Sequence, residues 1–315
     1  MANLYPNGIG ASGGSRYAKA KNLTLASGAS PYRGNIYYVH HTGSDSNSGL
    51  EINKPFATIG KAFGTGSNSV ITGTNLVPGA VAIGDVIAVL PGHRETIRYG
   101  NNTLVIAGSI TSVKIIGMGD GEEMPYIDCE DDVTLANLRG CTLVTGIRFG
   151  QSLSRSNAVN AHATRIIVNI NATVFEDCIF ETGDNDGDPT EESGSNLFDY
   201  LYSTVLIDAS TTEFYRCLFK NTATLYPQRV QAVRIYTQRA GIKFYDCMFD
   251  GGETGWGPPA FSYGRPWASS YYAISGFMAV DLVLINGADF SIETNGIQIA
   301  FVTVKSSNGS SQVIS

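Results

Sequence analysis

The sequence predicts an all-β fold: one chain wound into a parallel β-helix, with a short helix capping its N-terminal end. Three observations carry this. A six-residue phrase recurs as FEDCIF at 175–180, FYRCLF at 214–219 and FYDCMF at 244–249, with a weaker version, LRGCTL, at 138–143. The cysteines of these phrases, Cys141, Cys178, Cys217 and Cys247, are 37, 39 and 30 residues apart. A supersecondary unit repeated at that spacing is the mark of a stacked solenoid. The interval varies while the phrase does not, which suits fixed strands joined by loops of variable length. Finally, 36 glycines, only 16% charged residues and runs of β-branched and aromatic residues favour many short strands and turns over helices.

The phrase has a geometric reading. With Phe175 facing in and a bend at Glu176 and Asp177, Cys178 and Phe180 face in again and Ile179 faces out. Stacked rungs then form inner columns of Leu138, Phe175, Phe214, Phe244, of the four cysteines, and of Leu143, Phe180, Phe219, Phe249. The bend column reads Gly140, Asp177, Arg216, Asp246, and the column after the phrase Glu181, Lys220, Asp250. Both alternate in charge, as stacking favours. Three amphipathic helices with coincident phrases are the alternative, and the strand-forming composition argues against them.

Along the chain, residues 1–34 are rich in Gly, Ser, Ala and Asn, a composition that cannot build its own core, and are expected to be a flexible N-terminal arm. The β-helix is expected over 35–305. It opens with a strand, NIYYVH, and a polar turn, HTGSDSNSG. A capping helix follows at 55–63, with Pro55 in its first turn and Phe56, Ile59 and Phe63 on one face. GDVIAVLPGHRETI reads as a buried strand, a Pro-Gly turn and a return strand. Two short strands lie in LVIAGSITSVKIIGMG, and the cysteine rungs occupy roughly 130–250. Residues 251–272 are a Gly-, Pro- and aromatic-rich loop, three last strands follow, and 306–315 form a polar tail.

Two stretches resemble known families. IYYVHHTGSDSNSGLEINKPFATIGKAF at 36–63 resembles the opening of pectate-lyase-like right-handed β-helix proteins. GDVIAVLPGHRETI at 84–97 with VKIIGMGDGEEMPYI at 113–127 is similar to a set of tailed-bacteriophage proteins that share a Leu-Pro-Gly-His-x-Glu-Thr-Ile turn and are regarded as virion components. The resemblance spans about 36–250, with sharp motifs in fewer than 60 of those residues. It implies the right-handed fold and a place in a phage virion. The fold hosts enzymes, adhesins and structural proteins alike.

Charge and composition exclude several classes. A net charge of −7 disfavours nucleic acid as a partner, since phosphate binding needs clustered Lys and Arg. No run of 18 or more apolar residues exists for crossing a membrane, and MANLYPNGIGASGGSRY has no apolar core of a secretory signal. The five cysteines are read as buried apolar residues, without disulfides, and their spacing matches no zinc site.

Candidate chemistry is sparse. GDNDGDPTEES carries Asp184, Asp186, Asp188, Glu191 and Glu192. The first three have calcium-loop spacing, but Pro189 stands where such a loop needs glycine and Ser195 where it needs a bidentate Glu. A solvated acidic loop is the better reading, and no metal or cofactor is expected. Asp177 and Asp246 around Arg216 have the form either of a catalytic pair or of a structural charge ladder; the ladder is preferred. His93 and Glu95 lie in the PGHRE turn, near His40 and His41, where turn chemistry is preferred to general-base catalysis. His162 is isolated. The ring-rich loop, with Trp256, Phe261, Tyr263, Trp267, Tyr271 and Tyr272, could stack on sugars, anchor a protein interface or bury its own rings.

These readings lead to an expected function: a non-enzymatic virion protein of a tailed phage, a capsid decoration or cement protein at the capsid surface. It would be a homotrimer whose arm engages the major capsid protein. The alternative is a tailspike or receptor-binding protein that recognises, and in some cases cleaves, a host glycan. The expected trimer interface is an outward apolar column of Thr142, Ile179, Leu218 and Met248. Cover by a long loop of the same subunit, 182–200 or 251–272, is the alternative there.

Overall fold

The computed structural model describes residues 34–66, 76–97, 103–105, 112–129, 136–137, 141–151, 164–169, 173–182, 202–208, 212–221, 230–235, 243–250, 261–263, 277–280, 282–285, 299–301, 304–306 and 311–312. The arm before them, the acidic loop at 184–192, His162 and most of the ring-rich loop lie outside the described residues.

The described residues are mostly β and form three sheets. A first, parallel sheet of nine strands runs Ile36–Val39, Val86–Val89, Val113–Gly117, Cys141–Thr145, Val174–Glu176, Glu213–Tyr215, Lys243–Tyr245, Phe277–Val280 and Ile299–Phe301. A second runs Arg94–Ile97, Tyr126–Cys129, Arg148–Gln151, Ile179–Thr182, Leu218–Asn221, Met248–Asp250, Leu282–Ile285 and Val304–Ser306, with Ser311–Gln312 pairing antiparallel at its end. A third holds eight strands, from Leu76–Pro78 and Gly64–Gly66 through Thr103–Val105, Ala136–Asn137, Thr164–Asn169, Tyr202–Asp208 and Val230–Ile235 to Phe261–Tyr263. From Val86 to Tyr263 the chain visits the first, second and third sheets in turn, one tier after another. This stacking is consistent with a parallel β-helix. Phe261–Tyr263 is a strand inside the segment expected to be a loop, and Ser311–Gln312 one inside the expected tail.

Inner columns are continuous. Tyr37, Ile87, Ile115, Val144, Phe175, Phe214 and Phe244 are register partners on the first sheet, and all are buried. Ile127, Phe149, Phe180, Phe219 and Phe249 do the same on the second. Rings stack along each column, Phe175 on Phe214 at 5.1 Å and Phe214 on Phe244 at 4.8 Å. They meet edge to face between columns, as at Phe214 and Phe219, 5.6 Å apart. Burying each ring is worth roughly 1.5–3 kcal/mol relative to exposure.

Register corrects the weak fourth copy. Val144 pairs with Phe175 and Arg148 with Ile179, so the phrase equivalent to FEDCIF is VTGIRF at 144–149, not LRGCTL at 138–143. Cys141 is buried, but it pairs with Val113 and lies outside the column of Cys178, Cys217 and Cys247, where Ile147 takes the fourth place. Leu143 faces Lys114 and Val174 on the first sheet rather than Phe180. The corner residue is Gly146, not Gly140. Gly146, Asp177, Arg216 and Asp246 share a left-handed backbone, with φ of 66°, 52°, 51° and 51°. That conformation turns the chain from the first sheet onto the second. The N–H groups of Gly146, Asp177 and Arg216 each donate to the next tier, to the carbonyls of Glu176, Tyr215 and Tyr245 at 3.1, 3.0 and 2.8 Å.

The N-terminal end is closed by two devices. Segment 49–56 covers the free edge of strand Ile36–Val39: Tyr38 N–H donates to the Gly49 carbonyl and Phe56 N–H to the Tyr38 carbonyl. The capping helix is shorter than expected, Ile59–Phe63 rather than 55–63. Pro55 lies outside the helix, Phe56 forms a parallel bridge with Val39, and Thr58 is the N-cap, its hydroxyl accepting from Lys61 N–H at 3.1 Å. Phe56, Ile59 and Phe63 are buried, as the sequence implies.

Candidate functional site

Two polar clusters stand out among the described residues. The first lies at the capped end. Strand Ile36–Val39 leads into His40 and His41, and strand Val86–Val89 into the turn Leu90-Pro91-Gly92-His93. The Leu90 N–H donates to the Val39 carbonyl at 2.9 Å, which draws the two turns together. Gly92 has φ 71°, and a Cβ there would come within 2.7 Å of the Glu123 carboxylate, so the turn needs glycine. The ring centroid of His40 lies 4.3 Å from His41 and 6.4 Å from His93; His41 and His93 are 6.1 Å apart.

Glu95 is the register partner of Ile127, so it occupies the inner column of the second sheet. Its carboxylate accepts from the Ile59 N–H at 2.7 Å and from His93 Nε2 at 3.1 Å. Asp45 serves the same helix start, accepting from Ala57 and Thr58 N–H at 2.9 and 3.0 Å. The Arg94 guanidinium is spent on carbonyls, donating to His93, Glu122 and Met124. His93 is fully buried with Nε2 engaged by Glu95. These bonds tie the turn at 90–93 to the start of the capping helix. Burial first, then His41 and His93, hold the His40 imidazole below its ordinary pKa.

The second cluster is on the outer face of the first sheet. Arg216 donates from Nε to Asp177 at 2.7 Å and from Nη2 to Asp177 and Glu176. Glu213 accepts from Lys243 Nζ at 2.8 Å and from the Tyr215 hydroxyl at 2.7 Å. The hydrogen bond to Glu213 pushes the Tyr215 phenol up to about 12. Tyr215 and Tyr245 stack at 4.7 Å. Asp177 thus sits in an ion pair with the next tier, and Asp246 is exposed one tier further on. This is the geometry of the charge ladder, with Arg216 facing back toward Asp177.

The expected outward column divides. Ile179, Leu218 and Met248 are register partners, but Thr142 belongs to the first sheet, and the fourth place is taken by Arg148. Leu218 is 2% and Met248 8% exposed within the single chain, while Ile179 is half-buried. These two residues offer little open surface in the single chain. The column continues from Arg148 to Tyr126 and Arg94, with both guanidinium groups over the Tyr126 ring at 5.0 and 5.8 Å. Sequence reading missed this stack. Its signal was the second residue after each corner, visible once GIRF is aligned with DCIF.

Glu181, Lys220 and Asp250 are register partners as expected, and Glu181 also accepts from Arg148 Nε at 2.8 Å. Among the described residues no group of three His, Cys, Asp or Glu is arranged to hold a metal ion, and no helix is long and apolar enough to cross a membrane. No protein-family model, curated protein or solved structure matches this chain.

Proposed function

We propose that this chain is a structural protein of a tailed-phage virion: a right-handed parallel β-helix, closed at every tier, that assembles as a homotrimer and decorates the capsid as a cement protein. Residues 1–34 are proposed to engage the major capsid protein. The observation that carries the reading is the unbroken register of like or complementary side chains across tiers. Phenylalanine stacks on phenylalanine inside, and outside Arg216 and Lys243 bond to the acids of the tier before them. Such columns make a stiff rod, which suits a load placed on a shell. The resemblance of 84–97 and 113–127 to tailed-phage proteins suggests the virion, and that of 36–63 to pectate-lyase-like proteins the right-handed β-helix.

The test is a sedimentation measurement of mass, with binding to capsids stripped of decoration proteins. A trimer that binds capsids, and stops binding when residues 1–34 are removed, supports the proposal. A monomer that ignores capsids refutes it. A chain that instead releases reducing or unsaturated sugars from host polysaccharide would establish the tailspike reading.

A further inference from the structure

Among the described residues, the large apolar side chains left exposed are Leu50, Ile52 and Ile83, at 50%, 48% and 64%. Single apolar residues scattered over a surface need no explanation, but these three share one end of the molecule. Leu50 and Ile52 lie in the segment that covers the edge of strand Ile36–Val39. Ile83 lies in the turn at 82–85, closed by the Asp85 N–H on the Ala82 carbonyl, that leads into strand Val86–Val89.

The N-terminal arm joins the fold at this end, through a built joint. Asn35 N–H donates to the Asp85 carboxylate at 2.6 Å, and the Asn35 carbonyl accepts from Val86 N–H at 2.9 Å. The other oxygen of the buried Asp85 accepts from Ala82 N–H at 2.6 Å, so one carboxylate fastens the turn to the start of the first strand. Gly34 is pressed onto that turn: a Cβ on it would lie 2.6 Å from the Gly84 carbonyl oxygen and 2.7 Å from the Asp85 nitrogen. The chain that precedes Gly34 therefore sets out beside Ile83. Leu50 follows Gly49, whose carbonyl takes the Tyr38 N–H. Tyr38 is four strand residues from Gly34, a distance of roughly 13 Å.

The arm is complementary to what it meets there. Residues 1–33 carry Arg16, Lys19, Lys21 and Arg33 and no acid, a charge of +4 in a chain of net −7, which leaves −11 for the rest. Opposite fields of that kind draw the two parts together. Leu23 and Leu25 flank Thr24 in the arm, and Tyr32 stands two residues before Gly34. The stretch between Leu25 and Gly34, ASGASPYR, is small and polar for most of its length. A flexible chain of that length spans roughly 16 Å, close to the separation of Gly34 and Leu50. A short tether holds a segment near its site at about 1 mM, so a weak contact is populated. We propose that in the free chain the arm folds back over its own capped end, with Tyr32 against Ile83 and with Leu23 and Leu25 against Leu50 and Ile52. The inference does not depend on the virion reading.

The test is hydroxyl-radical footprinting of the purified full chain, read by mass spectrometry at Leu50, Ile52 and Ile83. The triple variant Leu23→Gln, Leu25→Gln, Tyr32→Gln changes the arm alone. An arm docked half of the time should make the three residues oxidise about twofold faster in the variant than in the wild type, with Tyr126 and Tyr245 on the flanks unchanged. Equal rates leave these residues to another partner and overturn the proposal, as does an equal rise on the flanks. Carbodiimide cross-linking of an equal mixture of ordinary and heavy-isotope wild-type chains identifies the owner of the arm, and it decides should the variant fail to fold. Lys19 or Lys21 joined to the exposed Glu51 of the same chain supports the proposal. Products that are all of mixed isotope assign the surface to a second copy, and products that bypass Glu51 place the arm elsewhere; either overturns it.

Discussion

Replacing Phe214 by Ala tests whether the aromatic columns hold the stack. Phe214 has no exposed surface and lies between Phe175 at 5.1 Å and Phe244 at 4.8 Å, with Phe180 and Phe219 meeting it edge-on at 6.2 and 5.6 Å. Truncating a buried Phe costs about 3–5 kcal/mol through lost transfer energy and the cavity left behind. Each ring pair adds about 0.5–1.5 kcal/mol beyond burial, and two faces and two edges are lost together. The expected loss is therefore at the upper end, about 5 kcal/mol. A solenoid can melt in parts, so urea titration should be read with hydrogen exchange at 175–180 and 244–249. The half-buried Tyr245, which stacks on Tyr215 on the outer face, is the control: Tyr245→Ala should cost about 1 kcal/mol. The new cavity would be apolar and dry, so benzene should bind and restore part of the stability. A loss under about 2 kcal/mol, or one matching Tyr245→Ala, would show that the columns do not carry the fold.

Other outcomes follow from the same geometry. Cys141, Cys178, Cys217 and Cys247 are fully buried, and burial pushes the Cys141 thiol up to about 12; none should react with a thiol reagent until denaturant opens the chain, and fast native labelling would refute the inward placement. At Glu213 burial raises the carboxyl, but hydrogen bonds from Lys243 and Tyr215 outweigh it and hold the pKa below 4.5. Its stabilisation is present above that value and should fade on acidification, a loss that Lys243→Ala should blunt. Tyr215 runs the other way: with its folded pKa raised to about 12, stability should fall as pH rises from 10, less steeply in Tyr215→Phe, as a midpoint series would show. Asp246 holds φ 51°, so Asp246→Val should cost at least about 1–2 kcal/mol for a left-handed β-branched residue, while Asp246→Gly should be close to neutral. Equal melting temperatures for the two would remove backbone strain as the reason for that corner.

The sequence made the repeat and the inward phenylalanines legible because the phrase has a two-residue period on each side of a bend. Phe175, Phe180, Phe214, Phe219, Phe244 and Phe249 all lie where that period puts them. The fourth copy was misaligned because cysteine is the most conspicuous letter of the phrase. Yet Cys178, Cys217 and Cys247 fill a small corner site, their S–H groups donating weakly to the Val144, Phe175 and Phe214 carbonyls at 3.5–3.6 Å. Ile147 fills the same site without a donor, so VTGIRF keeps the architecture and loses the letter. Thr142 was drawn into the outward column by the same slip. The capping helix was placed correctly, but its start was set at Pro55 rather than at Thr58, whose side chain satisfies Lys61 N–H. The convergence of His40, His41 and His93 depends on how the first two strands pair, which no local pattern records.

Strands of three residues carry little register information by themselves, since a one-residue slip would turn every side chain to the wrong face. The corner supplies what the strands lack. A left-handed residue at 146, 177, 216 and 246 fixes where each chain segment turns, and the N–H of the first three is bonded to the tier that follows. The corner is therefore tied to the next tier as well as to its own strand, and slipping one strand would break the bond at that joint. The residues beyond the corner extend the lock: Ile179, Leu218 and Met248 N–H groups donate back to Ile147, Cys178 and Cys217 carbonyls at 2.9–3.0 Å. Loop length between corners is then free to vary, which is why the spacings of 31, 39 and 30 residues between positions 146, 177, 216 and 246 leave the columns in register. The side chain at the corner is also free, provided that it tolerates positive φ. Asp177 and Arg216 use that freedom to bridge their tiers through an ion pair, and Gly146 leaves it unused.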